Sequence, residues 1–176
     1  MPDVPSHPSS STHDKVLLFD WGGTLMRSMP RWQGTSAGWT REEAIPHAPE
    51  TLHCLATGWR MGLASNACES DEDPIRASLD TIGIGNLFEH IFTWRSVGSP
   101  KPWGPFWSHV LRNLKVAPAR VVMVGDDWMG DVWGARQAGL CGVWFNPHSD
   151  EVREREGVRT IHDFRSLPDV LADLGF

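Results

Sequence analysis

Four short segments carry side chains suited to phosphate chemistry, and they follow one another in a fixed order. Asp20 is followed by Gly22-Gly23-Thr24, then come Ser65-Asn66, then Lys101 between Pro100 and Pro102, then Asp126-Asp127 with Asp131. Glycines let a backbone approach an anion closely, so the Asp20 carboxylate stands beside a loop able to receive one. Carboxylates crowded together repel one another unless a cation sits among them. The acidic group therefore implies a metal, and magnesium suits it, because that ion prefers hard oxygen ligands and retains several waters.

For these segments to meet, they must sit at the ends of neighbouring elements. Val16–Phe19 (VLLF) is a short continuous apolar run ending in Asp20, as a buried parallel strand does. Residues 121–124 repeat the pattern and end in Gly125-Asp126. Further strands are expected at 59–64, which stops at Ser65-Asn66, at 90–94 and at 141–145. Helices are expected between them. One opens at Pro49, with Leu52, Leu55 and Ala56 on one face, and ends at Gly58; others cover 71–82, 106–114 and 163–174, and one carries Gly134, Ala135 and Ala138 before Gly139. Residues 25–47 mix Gly, Pro, Ser, Arg and Trp without a period, and 150–159 are charged, so both read as loops. The alternation predicts an α/β, Rossmann-like, three-layer α/β/α fold with a central parallel sheet, whose ligand site lies at the carboxyl ends of the strands.

A length of 176 residues suits one domain. Residues 1–14, rich in Pro and Ser, read as a disordered tail, and 15–176 as a single domain with a short insert at about 25–48. The net charge of −6 and the absence of a Lys/Arg patch argue against nucleic acid as a partner. Cys54, Cys68 and Cys141 form no CxxC pair, which argues against a zinc site or a disulfide framework. No run approaches the roughly 18 apolar residues of a membrane span, and residues 1–14 do not read as a secretory leader, having neither a basic nor an apolar run. A cytoplasmic protein without membrane association is expected; the oligomeric state is left open.

FDWGGTL around Asp20, LASN ending at Asn66, SPKP around Lys101 and VMVGDDWMGDVWGARQAG around Asp126 and Asp131 resemble, in this order, the four motifs of the haloacid dehalogenase superfamily. The resemblance runs from about Lys15 to the C-terminus. DxxGT alone is a weak pattern, but the four in sequence at these separations form a strong joint signal. The resemblance implies that Asp20 attacks phosphorus to form an aspartyl-phosphate, splitting the displacement into two easier steps. It implies Mg²⁺ held by Asp20, the Gly22 carbonyl, Asp126 and Asp131. Ser65, Asn66, Gly23 and Thr24 would bind substrate, and Lys101 would offset the charge that develops in transfer. The expected function is a magnesium-dependent phosphomonoester hydrolase acting on a small phosphorylated substrate or on a phosphate carried by a larger molecule. Plainer readings stand beside these roles: Asp127 and Asp131 can cap the helix that follows, and Lys101 can be a solvated loop lysine.

One position departs from the pattern. The family's phosphatases place a second aspartate, the proton donor, two residues after the nucleophile, and here that position is Gly22. General acid–base catalysis typically contributes about 10²–10⁴-fold, so phosphatase activity is expected to be weak unless another group, His47 or His53 among them, replaces it. Relatives lacking this acid include phosphonatases, dehalogenases and ion-pumping ATPases. A phosphonate or halide hydrolase, and a catalytically reduced member that binds a phosphorylated ligand or a protein partner, are therefore the alternatives. Only 40 residues separate Thr24 from Ser65, which leaves room for little or no cap and predicts an open site. The chain has ten tryptophans and no tyrosine; Trp21, Trp103 and Trp128 lie near motif positions and either rim the site or pack the core.

Overall fold

The computed structural model describes residues 14–27 and 43–176. The expected tail lies outside them apart from Asp14, and so do residues 28–42 of the expected insert.

The two apolar runs become the middle of the sheet. Strand β1 (Val16–Phe19) is buried along its whole length and lies between β2 (Arg60–Ser65) and β4 (Val121–Gly125). With β3 (Phe88–Thr93), β5 (Cys141–Phe145) and β6 (Val158–Ile161), the order is β3-β2-β1-β4-β5-β6, with every pair parallel. Successive side chains of a strand face opposite sides, and β1 shows why it must be apolar throughout. Leu17 and Phe19 enter one core with Leu52, Ile75, Leu79, Leu167 and Leu171, while Val16 and Leu18 enter another with Phe106, Trp107, Val110 and Ala135. The first core packs α1 (Ala48–Leu55), α2 (Glu72–Thr81) and α6 (Leu167–Asp173) on one face of the sheet. The second packs α4 (Gly104–Leu114) and α5 (Gly134–Gln137) on the other. The result is the expected three-layer α/β/α arrangement. Burying one such Leu or Phe contributes about 1.5–3 kcal/mol.

Several elements differ from expectation. The charged stretch read as a loop at 150–159 runs into β6, whose Val158 and Ile161 are buried while Arg159 and Thr160 are half-exposed. An edge strand with two polar residues has no continuous apolar run to reveal it. Strand β3 starts at Phe88, before the expected position, and Trp94 opens a short helix, α3 (Trp94–Val97), capped reciprocally by Thr93 and Ser96. After β4 the chain makes a wide π-type turn (Trp128–Trp133) before the four residues of α5. Among the described residues no helix is long and apolar enough to cross a membrane.

Candidate active site

The register aligns the carboxyl ends of β1, β2 and β4. Phe19 pairs with Leu63 on one side and Val124 on the other, and the Asp20 N–H donates to the Val124 carbonyl at 2.9 Å. Asp20, Ser65 and Asp126 therefore emerge at one edge of the sheet. They line a cavity of about 470 Å³ with Gly22, Asn66, Lys101 and Asp131.

Lys101 organises the floor of this cavity. Its Nζ donates to Asp20 Oδ1 at 2.8 Å, to Asp131 Oδ1 at 2.5 Å and to the Ala64 carbonyl at 2.5 Å, so all three ammonium protons are engaged. The side chain is 2% exposed, which rules out the reading as a solvated loop lysine. Burial pulls its pKa down, but the charges of Asp131 and Asp20 outweigh that and hold it well above the ordinary lysine value. The loop that carries Lys101 is clamped by Asn66, whose amide accepts from the Lys101 N–H at 2.7 Å and donates to its carbonyl at 3.1 Å. The Asn66 amide, expected to meet substrate, lines the cavity and also braces the Lys101 backbone.

Asp126 is positioned by Thr24. The Thr24 hydroxyl donates to Asp126 Oδ1 at 3.0 Å and accepts from the Asp126 N–H at 3.1 Å. Thr24 is fully buried, so it acts on the carboxylate rather than at the cavity surface. Gly23 adopts φ +89°, and a Cβ there would collide with the Asp126 carboxylate. A side chain at this position would both strain the backbone and displace a carboxylate. Gly125 is required for a similar reason, since its Cβ would occupy the place of the Asp131 carboxylate.

Asp131 lies one turn into the wide helix, 1% exposed, and accepts from the Asp127 N–H at 3.1 Å as well as from Lys101. Asp127 instead caps that turn, accepting from the Met129 N–H at 3.0 Å. The two carboxylates separate into the two roles the sequence left open: Asp127 caps, and Asp131 joins the cluster. Single oxygens of Asp20, Asp126 and Asp131 lie within 4.8 Å of one another. Against these three carboxylates stands the one ammonium of Lys101. Burial, then repulsion from Asp20, raises the Asp126 carboxyl, and burial raises that of Asp131 against the pull of Lys101. Hard oxygens with an excess of negative charge are the donor set a small divalent cation takes.

Ser65 is nearly buried, and its Oγ accepts from the Ala67 N–H at 3.2 Å, which leaves its own proton to be donated toward the cavity. Gly22 lines the cavity and offers no side chain. Neither candidate substitute for the missing acid is there. His53 contacts the Gly83 carbonyl at 3.0 Å, and His47 immediately precedes α1 and lies 3.9 Å from Asp163. Of the three motif tryptophans only Trp21 lines the cavity; Trp103 is exposed, and Trp128 packs edge-on against Trp144 beneath Arg153. Sequence reasoning missed Trp144, whose indole N–H donates to the Asp126 carbonyl at 2.9 Å and so fixes the backbone of that carboxylate.

The sequence profile of the haloacid dehalogenase-like hydrolases matches residues 31–139. The chain is 30% identical over 134 residues to a glyceraldehyde 3-phosphate phosphatase of Methanothermobacter thermautotrophicus, covering 72% of this chain and 58% of that one. It is 26% identical to a ribulose-1,5-bisphosphate 5-phosphatase of Halopiger xanaduensis, covering 94% and 73% respectively. The chain therefore spans little more than half the length of the first of these relatives. Among solved structures, a protein from Listeria monocytogenes serotype 4b superposes with a TM-score of 0.76 at 25% identity, covering 92% of this chain and 98% of that one.

Proposed function

Because this chain belongs to the haloacid dehalogenase-like hydrolases, we propose that it is a magnesium-dependent phosphomonoester hydrolase in which Asp20 is the nucleophile. The observation that carries this reading is the buried Lys101 ammonium, which ties Asp20 to Asp131 beside Asp126 at the floor of an open cavity.

In this reading an Asp20 carboxylate oxygen forms a bond to phosphorus as the ester P–O bond breaks, and water then cleaves the aspartyl-phosphate to release phosphate. Lys101 holds Asp20 in one rotamer. Ser65 donates to a phosphoryl oxygen. Asp126 and Asp131, with Asp20 and the Gly22 carbonyl, would hold the magnesium, which would offset negative charge on the phosphoryl oxygens. Thr24, Gly23 and Asn66 act at one remove, through Asp126 and Lys101.

Gly22 lacks the proton that an alkoxide leaving group needs, so activated esters are hydrolysed best. Gly22 also favours a second reading, a catalytically reduced member that retains binding of a phosphorylated ligand or protein partner; a phosphonate or halide hydrolase is a weaker third. The relatives named for glyceraldehyde 3-phosphate and ribulose 1,5-bisphosphate favour a small phosphorylated substrate. A cytoplasmic setting belongs to this reading and rests on three cysteines that form no disulfide.

Turnover of an activated aryl phosphate with magnesium tests the proposal directly. Wild type should hydrolyse it, chelation should stop it, and Asp20→Asn should reduce kcat on the order of 10⁴-fold while leaving the circular dichroism spectrum unchanged. Beryllium fluoride, which mimics a phosphoryl group on a carboxylate, should bind wild type only with magnesium. Equal turnover by Asp20→Asn would overturn the nucleophile; binding without turnover would favour the reduced member.

A further inference from the structure

The wide turn after β4 borders two cavities. Asp127, which caps it, and Asp131 within it line the first. Trp128, Val132 and Trp133 of the same turn line a separate one of about 230 Å³. The rest of its wall includes Arg136 on α5 and Arg155, Glu156 and Val158, where the chain enters β6. None of these side chains lines the first cavity.

The two cavities differ in charge. The first gathers carboxylates around one ammonium, whereas here two guanidinium groups stand against the single carboxylate of Glu156. Other carboxylates of this edge are committed to other arginines, Glu151 to Arg153 at 2.7 Å and Asp173 to Arg159 at 3.8 Å. Among the described residues Arg136 and Arg155 have no ion pair, with Glu156 or with any other acid. Arg155 lies over the Trp128 ring, 5.0 Å from its centroid, a placement that keeps its in-plane N–H groups for an acceptor. Arg136 is fixed in place. Its Nη1 donates to the Leu140 carbonyl at 2.6 Å, and Gly157 lies so close that a Cβ there would collide with the guanidinium. Nε and Nη2 of that fork have no protein acceptor among the described residues.

The remaining lining is mostly aromatic and aliphatic. Trp133 is 39% exposed although it is one of the largest apolar side chains, so its indole is a surface for a flat partner. Size bounds that partner. A cavity of about 150 Å³ accepts a benzene ring, so this one takes a single ring with one small substituent. Charge bounds it too: the surplus of one guanidinium over Glu156 matches a single negative charge, and a planar carboxylate fits the flat guanidinium fork.

We infer that this cavity binds a monocyclic aromatic carboxylate, with Arg136 and Arg155 receiving the carboxylate and Trp133 the ring. The site is independent of the reaction assigned to Asp20, because the two cavities share no lining residue.

Titration of the full chain with benzoate in the presence of magnesium, followed by the indole N–H resonances in nitrogen-correlated NMR spectra, tests the site. Trp→Phe substitutions assign the resonances. Benzoate should shift Trp128 and Trp133, leave Trp21 of the first cavity in place, and saturate with a Kd on the order of 1 mM. Benzamide has the shape without the charge and acetate the charge without the ring, so each should bind about tenfold more weakly. Arg155→Gln should weaken benzoate about tenfold and Trp133→Ala about fivefold. Both positions are exposed, so neither substitution should alter the melting temperature. Benzamide or inorganic phosphate binding as tightly as benzoate overturns the ligand class. Shifts confined to Trp21, no saturable shift at all, or full affinity in Arg155→Gln overturns the site.

Discussion

Lys101 sets one ammonium between two carboxylates that follow two strands of the same pattern, and the two fare differently. After β1 the chain passes through Trp21-Gly22-Gly23, and the Asp20 side chain remains 13% exposed at the cavity floor. After β4 it folds into a wide turn that carries Asp131 back under the sheet edge, where its side chain is 1% exposed and accepts from both Lys101 and the Asp127 N–H. A buried carboxylate with two fixed donors is an anchor, whereas a carboxylate with one donor and an open side is available to react. The loop that follows each strand, more than the strand, decides which role its aspartate takes.

That contrast is most sharply broken by stability measurements. Asp131→Ala leaves the Lys101 ammonium buried with one counter-charge fewer, and breaking a buried pair in this way should cost about 3 kcal/mol in urea unfolding. Asp20→Asn keeps an acceptor for Lys101 and relieves repulsion with Asp126, so its cost should stay below about 1 kcal/mol. Equal losses for the two would remove the distinction between anchor and reactive group.

Next in size is the effect of restoring a carboxyl to the β1 loop. Gly22→Asp should raise kcat/KM for an alkyl phosphate by up to about 10²-fold, with little change for an aryl phosphate, because only the alkoxide leaving group needs a proton. The gain will be smaller if the new side chain lacks supporting hydrogen bonds. Should wild type already treat both esters alike, a proton donor other than His47 or His53 operates, and Asp127 at the cavity wall becomes the position to substitute.

The smallest expected effect is on pH dependence. Burial and then Asp20 raise the folded Asp126 carboxyl above its unfolded value. A raised acid favours folding below the unfolded pKa, about 3.9, and loses that contribution as pH rises through the folded value. Metal-free protein should therefore lose stability relative to metal-free Asp126→Asn over that window, by less than a fully buried carboxylate would, because Asp126 is partly exposed and solvent screens it. Saturating magnesium should flatten the curve, and so should Asp126→Asn, as followed by thermal melts across pH. A metal-free wild type whose stability does not fall with pH relative to Asp126→Asn over the same window would contradict the assigned repulsion.

Much of this molecule was legible before folding was considered. Strands buried on both faces must be apolar without interruption, which is why β1 and β4 stood out. Glycine beside a strand-end aspartate marked the turns where Gly23 and Gly125 make room for carboxylates. The strand β6 did not stand out, because an edge strand needs only Val158 and Ile161 inside, and its charged neighbours resemble a loop. The break between the π-type turn and α5 was also hidden, since the two segments follow one another directly with no proline between them.

By itself the sequence determined which side chains come to the carboxyl edge of a parallel sheet, because burial and strand period are local properties of a chain. Only the tertiary structure decided what those side chains do to one another. Lys101 meets Asp131, Ala64 and Asp20 across 30, 37 and 81 positions, and Thr24 meets Asp126 across 102. Contacts at such separations follow from strand order and register, which no local pattern encodes. The same is true of the cavity beside the wide turn, where Trp133 and Arg136 meet Arg155 only because β5 and β6 extend the sheet past β4 and bring Gly157 against Arg136.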